Sequence, residues 1–347
     1  MATSFRFTKL PYLARLLAMR MMTTNELVSY SLISRKSEYM VRSVFGKRDY
    51  IEAVLHNEFI NICTNFEEIE WRREQITLEL HSRRNNIIPS RNGPFEVNAT
   101  VRDNQERKYP LRKKLDSHEW IAHFIRIFQS RKFKLLFDRR SDYSLGLIQN
   151  LFHDTEIIGI GILNCGRRYA MEILRSFKPI RQLMLIGVNF IDFDMEELEG
   201  YIFQNLDYFK IDGGSFELGI NRLLAMDCKI IEVWGSSMSV DNLNTFIRRW
   251  IAGNTNRNLE ALTIMFDMTR RPRHPRNYRQ RILENIQHSV VEKDHHKKLR
   301  APINSALWAE VDYIEAQYEI QGVDKRVVTI QFDDKGMEMR FKFVVGQ

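Results

Sequence analysis

Apolar residues between Pro11 and Val44 recur at helical spacing in three short runs. Leu13, Leu16, Leu17 and Met21 share one helical face behind Pro11, whose missing N–H is no loss in a first turn. Thr23 and Glu26 make a capping-box pair ahead of Leu27, Val28, Ser31 and Leu32. Ser34 can cap a third run bearing Met40, Val41 and Val44. Residues 5–46 are therefore expected to form a trihelical segment, too small to bury a stable core alone and in need of a partner.

The pattern then changes. Ile51, Val54, Leu55 and Phe59 have helical spacing and predict a linking helical layer over residues 49–66. Alternation in Ile76, Leu78 and Leu80, and in Phe95, Val97, Ala99 and Val101, predicts strands joined by a polar loop over residues 81–94. Ser117 can cap a helix carrying Trp120, Ile121, Phe124, Ile125 and Phe128, with Phe133, Leu135 and Phe137 alternating as a strand after it.

From there the pattern apolar-x-x-apolar-x-apolar recurs. It appears as Thr155/Ile158/Ile160, Ile180/Leu183/Leu185, Leu206/Phe209/Ile211, Cys228/Ile231/Val233 and Leu259/Leu262/Ile264, with middle positions about 25, 26, 22 and 31 residues apart. A strand followed by a helix, repeated, buries its apolar face against its neighbours. The asparagine that follows such strands is displaced, with Asn164 and Asn189 each one place late, so the array is expected to be irregular and open. An ordinary α/β domain with coincident strand spacing is the competing reading.

Val240, Leu243, Phe246, Ile247, Trp250 and Ile251 stripe a helix that Ser239 can cap and Gly253 can end. Residues 327–345 read as a hairpin around Asp333–Gly336 that covers the last strand's edge, and the basic stretch 267–302 as an insertion or mobile loop. The fold class expected is thus α+β with an α/β repeat. A three-helix segment leads, a linking layer with strands fills 47–115, and a leucine-rich-repeat-like strand–helix array spans 116–347, closed by the C-terminal β-hairpin.

Composition narrows the picture. At 347 residues and 44% hydrophobic, the chain can bury a large core. Cys63, Cys165 and Cys228 are odd in number and widely spaced, which argues for reduced thiols in the cytosol or nucleus and against a disulfide framework. No apolar run is long enough for a membrane span and no signal peptide is evident, so the sequon Asn98-Ala99-Thr100 carries little weight. Arg6, Lys9, Arg15 and Arg20 precede the first acid, as in a transit peptide, yet the caps and the apolar pattern continue through Val44. A plain helical cap on the downstream domain stays open.

The net charge of +8 raises nucleic acid as a partner. The cations lie in separate clusters, from Arg35-Lys36 to the run Arg270–Arg281, without the interleaved aromatics of an RNA-binding sheet. That argues for solvated loops and helix ends. The chain has no G-x-S-x-G, no H-E-x-x-H and no Walker loop, and Gly159, Gly161 and Gly166 miss the dinucleotide spacing. Cys165 beside Gly166 reads as packing, and His295 and His296 sit among cations that oppose a metal. No catalytic residue, cofactor or metal is expected.

Two stretches carry a resemblance. Leu10-Pro11, Leu27 and Ser31-Leu32-x-Ser34-Arg35-Lys36 resemble an F-box. DNLNTFIRRWIAGNTNRNLEALTI, within residues 206–268, resembles the type 2 F-box-associated domain of the large nematode-type F-box family, and YEIQGVDKRVVTIQF is similar to the segment that follows it there. The resemblance implies a non-catalytic substrate-recognition subunit of an SCF-type cullin ubiquitin ligase. The F-box would dock on a Skp-type adaptor, and through it a cullin scaffold, while the repeat domain would hold a protein target. Adaptor contacts are implied for Leu10, Pro11, Leu13, Leu27, Ser31 and Leu32, which are expected to be exposed on their helices. Methionines in MRMMTTNE stand where the family has branched aliphatics, making that edge adaptable. The alternative is a repeat-type scaffold outside any ligase, with nucleic acid on the basic 270–281 stretch.

Overall fold

Three short helices open the chain. In a computed structural model, α1 (Tyr12–Arg20) starts at Pro11, whose carbonyl accepts the Arg15 N–H at 3.0 Å. A reciprocal capping box between Thr23 and Glu26 begins α2 (Thr24–Ser31), and one between Ser34 and Ser37 begins α3 (Arg35–Phe45). The structure describes residues 9–56, 59–63, 75–80, 97–102, 108–111, 114–139, 144–178, 180–188, 195–212, 218–236, 238–267, 277–291, 316–334 and 338–346. Phe5, the 81–94 loop, Phe95, Asn189, His295, His296 and the hairpin tip lie outside them. The fold is mixed α/β, in two compact units, 1–158 and 159–347.

In the first unit the helices lead into β1 (Ile51–Leu55), β2 (Phe59–Cys63), β3 (Gln75–Leu80), β4 (Val97–Arg102) and β5 (Lys108–Pro110). Then come α4 (Ser117–Phe128), β6 (Lys132–Asp138) and α5 (Leu145–Leu151). The strand order is β6-β1-β2-β3-β4-β5, with β1 parallel to β6 and the remaining neighbours antiparallel. The helical layer expected over 49–66 is replaced by β1 and β2. Ile51, Ala53 and Leu55 pair in register with Phe133, Leu135 and Phe137, and all six are buried. Helical spacing in IEAVL was a coincidence of a doubly buried strand, and the parallel partner decides. Asp116, not Ser117, caps α4, whose Trp120, Phe124 and Phe128 stack successively at 5.5 and 6.1 Å.

The second unit begins within β7 (Glu156–Leu163), at Gly159, and goes on with α6 (Arg167–Ser176), β8 (Gln182–Ile186), α7 (Met195–Ile202) and β9 (Tyr208–Asp212). It continues with α8 (Ile220–Ala225), β10 (Ile230–Ser236), α9 (Val240–Ile251) and β11 (Ala261–Asp267). After α10 (Tyr278–Ile282) come β12 (Ser289–Val290), β13 (Ala316–Gln321), β14 (Val327–Asp334) and β15 (Glu338–Val345). Strands β7 to β11 run parallel in chain order, and β15 closes the edge of β11 antiparallel, as the expected hairpin requires.

Every expected repeat strand forms, with one shift of register. Ile160, rather than Ile158, pairs with Leu183, and the buried row continues through Phe209, Ile231, Leu262 and Phe343. Phe343 meets Phe246 and Trp250 of α9 edge-on at 5.4 and 5.0 Å. Gly253 ends α9 at φ +70°, as expected. Asn164 is left-handed at φ +54°, and its N–H donates to Ile186 O at 2.8 Å. The described part of the basic stretch is not a loose loop. Tyr278, Ile282, Leu283 and Ile286 are buried, and Asn244 Nδ2 of α9 donates to Ile282 O and Glu284 O at 2.8 and 2.9 Å. An apolar stripe lay beneath the basic composition.

Candidate docking site

Burial sorts the implied adaptor contacts. Leu13 is 70% exposed, and Leu17 and Met21, spaced by four residues along the same face of the first helical segment, are 62% and 88% exposed. The buried side of α1 is held by Met19 instead. Pro11 is exposed at the cap, while Leu10 and Leu32 are half-buried. Leu27 and Ser31 do not have the exposure expected of them. Both are buried inside the first unit, because α2 turns that face toward α3 and α4. They can position the exposed residues but do not present a surface themselves.

Ser31 is held by a constellation that spans 92 positions of chain. Its hydroxyl lies 2.6 Å from Val28 O and 2.8 Å from His123 Nε2, within hydrogen-bond reach of both. Arg126 lies with a guanidinium nitrogen 3.4 Å from His123 Nδ1 and donates from Nε to Glu38 Oε1 at 3.1 Å. Glu38 Oε2 stands 3.7 Å from Nδ1, beyond hydrogen-bond range. Serine, histidine and glutamate thus lie in the order of a hydrolase triad, but Glu38 stands too far from Nδ1 to hold the imidazole. A triad serine donates to Nε2 and the carboxylate takes the Nδ1 proton. Here the serine hydroxyl also reaches a backbone carbonyl, and Nδ1 faces the Arg126 guanidinium rather than a carboxylate. The group is a clasp that ties α2 and α3 to α4. Sequence reading missed it because Ser31 and His123 each look ordinary along their own helix.

In the second unit the strand face opposite the Phe209 row carries a polar row. Lys210, Glu232, Thr263, Lys342, Gln331 and Gln317 are cross-strand neighbours in succession, and all are buried. Lys210 Nζ lies 3.6 Å from Glu232 Oε2 and 3.6 Å from the centroid of the Trp234 ring. Asp212, two residues on, has its carboxyl pushed above the ordinary range by burial, against the pull of Lys210. Single-strand pattern gave no sign of this row, since these residues fill the x positions that normally face solvent.

After α9, Asn256 adopts φ +48° and its buried amide donates to Leu223 O and Met226 O at 3.0 and 2.7 Å. The Thr255 hydroxyl lies within hydrogen-bond reach of both the Asn256 oxygen, at 2.6 Å, and Leu224 O, and can donate its one proton to either. This knot pins the turn before β11 to the end of α8, and the run Asn254–Asn258 is its trace in the sequence. Among the described residues no helix is long and apolar enough to cross a membrane.

Residues 197–264, which take in most of α7, then β9, α8, β10 and α9, and the start of β11, match the family described as F-box associated. No curated protein and no solved structure matches the chain. The capped α9, its Trp250 anchor, the glycine stop and the Asn256 knot all lie within the matched span. The match supports an F-box-associated domain over residues 197–264.

Proposed function

We propose that this chain is the substrate-recognition subunit of an SCF-type cullin ubiquitin ligase. The observation that carries the proposal is the exposed apolar stripe of Leu13, Leu17 and Met21, borne by a trihelical segment in the same chain as an F-box-associated domain. Exposing such a stripe costs free energy in water, and a protein partner that covers it removes that cost. On this proposal α1 to α3, with Leu10, Pro11, Leu13 and Leu32 at the surface, dock on a Skp-type adaptor. Leu27 and Ser31 act from beneath by fixing α2. The second unit takes the protein target, in the cytosol or nucleus, and no residue of this chain performs chemistry. Ubiquitin reaches the target because both are held in one complex.

Co-expression with a Skp-type adaptor tests this. Wild type is expected to co-purify at low and high salt alike, since apolar anchors are little screened. The pair Leu13→Ser, Leu17→Ser is expected to lose about 2 kcal/mol or more per anchor and to elute free. A folded, soluble wild-type chain that fails to bind the adaptor would overturn the proposal.

A further inference from the structure

A groove runs between the α2–α3 turn and α4, and its chemistry differs from that of the α1 stripe. Its apolar surface is Ile33, 72% exposed, and Tyr39, 63% exposed. Its carboxylates are already committed, Glu38 to Arg126 at 3.1 Å and Glu119 to the Asp116 N–H at 2.9 Å in the α4 capping box. Its other cations are not. Among the described residues no carboxylate pairs with Arg35 or Arg42, and Arg42 Nε is buried without a hydrogen-bond partner. Arg35, Tyr39 and Arg42 follow at helical spacing and share one face of α3. The positive end of the α3 dipole lies beside Arg35 and reinforces the field.

We propose that this groove binds an acidic segment of a partner protein, a stretch in which carboxylate side chains flank a bulky apolar one. The carboxylates would pair with Arg35 and Arg42, whose planar forks suit them, while the apolar residue covers Ile33 and the Tyr39 ring. The groove shares Leu32 with the proposed adaptor surface but does not include Leu13, Leu17 or Met21, so substitutions at those three leave the groove intact.

The test uses the full chain and two fluorescein-labelled synthetic peptides, one repeating Glu-Glu-Leu and one repeating Lys-Lys-Leu, read by fluorescence anisotropy. The acidic peptide is expected to bind, more weakly as salt rises, and the lysine peptide is not. The variant Arg35→Glu, Arg42→Glu is expected to lose affinity by about tenfold or more, because the complementary charges now repel. Arg35 is exposed and Arg42 half-buried, and circular dichroism checks that this variant is folded. Ile33→Ser is expected to weaken binding with less change in salt dependence. Leu13→Ser, Leu17→Ser is expected to bind the peptide like wild type while losing the adaptor, which separates this site from the proposed ligase role. Equal binding by wild type and the charge-reversed variant, or no binding of the acidic peptide at low salt, would overturn the proposal. So would loss of adaptor and peptide together in the charge-reversed variant, which would make the groove part of the adaptor interface.

Discussion

The Cys228 thiol is buried and its sulfur contacts Ile230 O at 3.1 Å. Burial pushes its pKa up to about 12, from an ordinary value of 9.0. The folded state therefore holds this proton more tightly than the unfolded state, and its contribution to stability is fully present below pH 9.0 and is lost as pH rises toward about 12. Since the thiolate is the nucleophile, iodoacetamide at pH 8 is expected to leave Cys228 unmodified in the native chain and to label it after urea unfolding, as read by peptide mass spectrometry. Rapid labelling of the native chain would contradict this burial. That neither Cys165 nor Cys228 forms a disulfide agrees with the number and spacing of the cysteines. The buried pairing of Lys210 with Glu232 was not legible, because it depends on which strands become neighbours, and no single strand records that.

Elements whose apolar residues follow one period and whose ends carry a cap were read correctly. α9 is the clearest. Ser239 and Asn242 close a reciprocal capping box, and Val240, Leu243, Phe246, Ile247 and Trp250 are all buried. Ser239→Ala is expected to cost about 1 kcal/mol and Phe246→Ala about 3–5 kcal/mol, measured by urea denaturation. Equal effects would mean that α9 is held by its cap rather than by the Phe343 contact. Elements were misread where two periods fit the same residues, as at Ile51 to Leu55, or where charge masked an apolar stripe, as at Tyr278 to Ile286. At the candidate docking site the exposure of Leu13 was legible, because among the described residues its face of α1 is left uncovered. Ser31 was misjudged because its partner, His123, is distant in sequence.

Across the second unit, β15 covers the edge of β11 and carries Phe341 and Phe343 into the core. A chain truncated after Asp334 would leave both β11 and β14 with open edges lined by apolar rows, a template for self-association. It is expected to aggregate, and size-exclusion chromatography checks this, a soluble monomer with native circular dichroism being the contrary result. The polar row from Lys210 to Gln317 has a consequence for how such a chain can change over generations. Its parallel strands β9, β10 and β11 contribute a lysine, a glutamate and a threonine in turn, and the buried Lys210 of β9 faces the buried Glu232 of β10. Duplicating or deleting the strand–helix repeat of β9 or β10 would set the buried lysine or glutamate beside the wrong neighbour, at a cost of several kcal/mol. Repeats here are individuals and not copies. The array can diversify by substitution at its surface, but its length is locked.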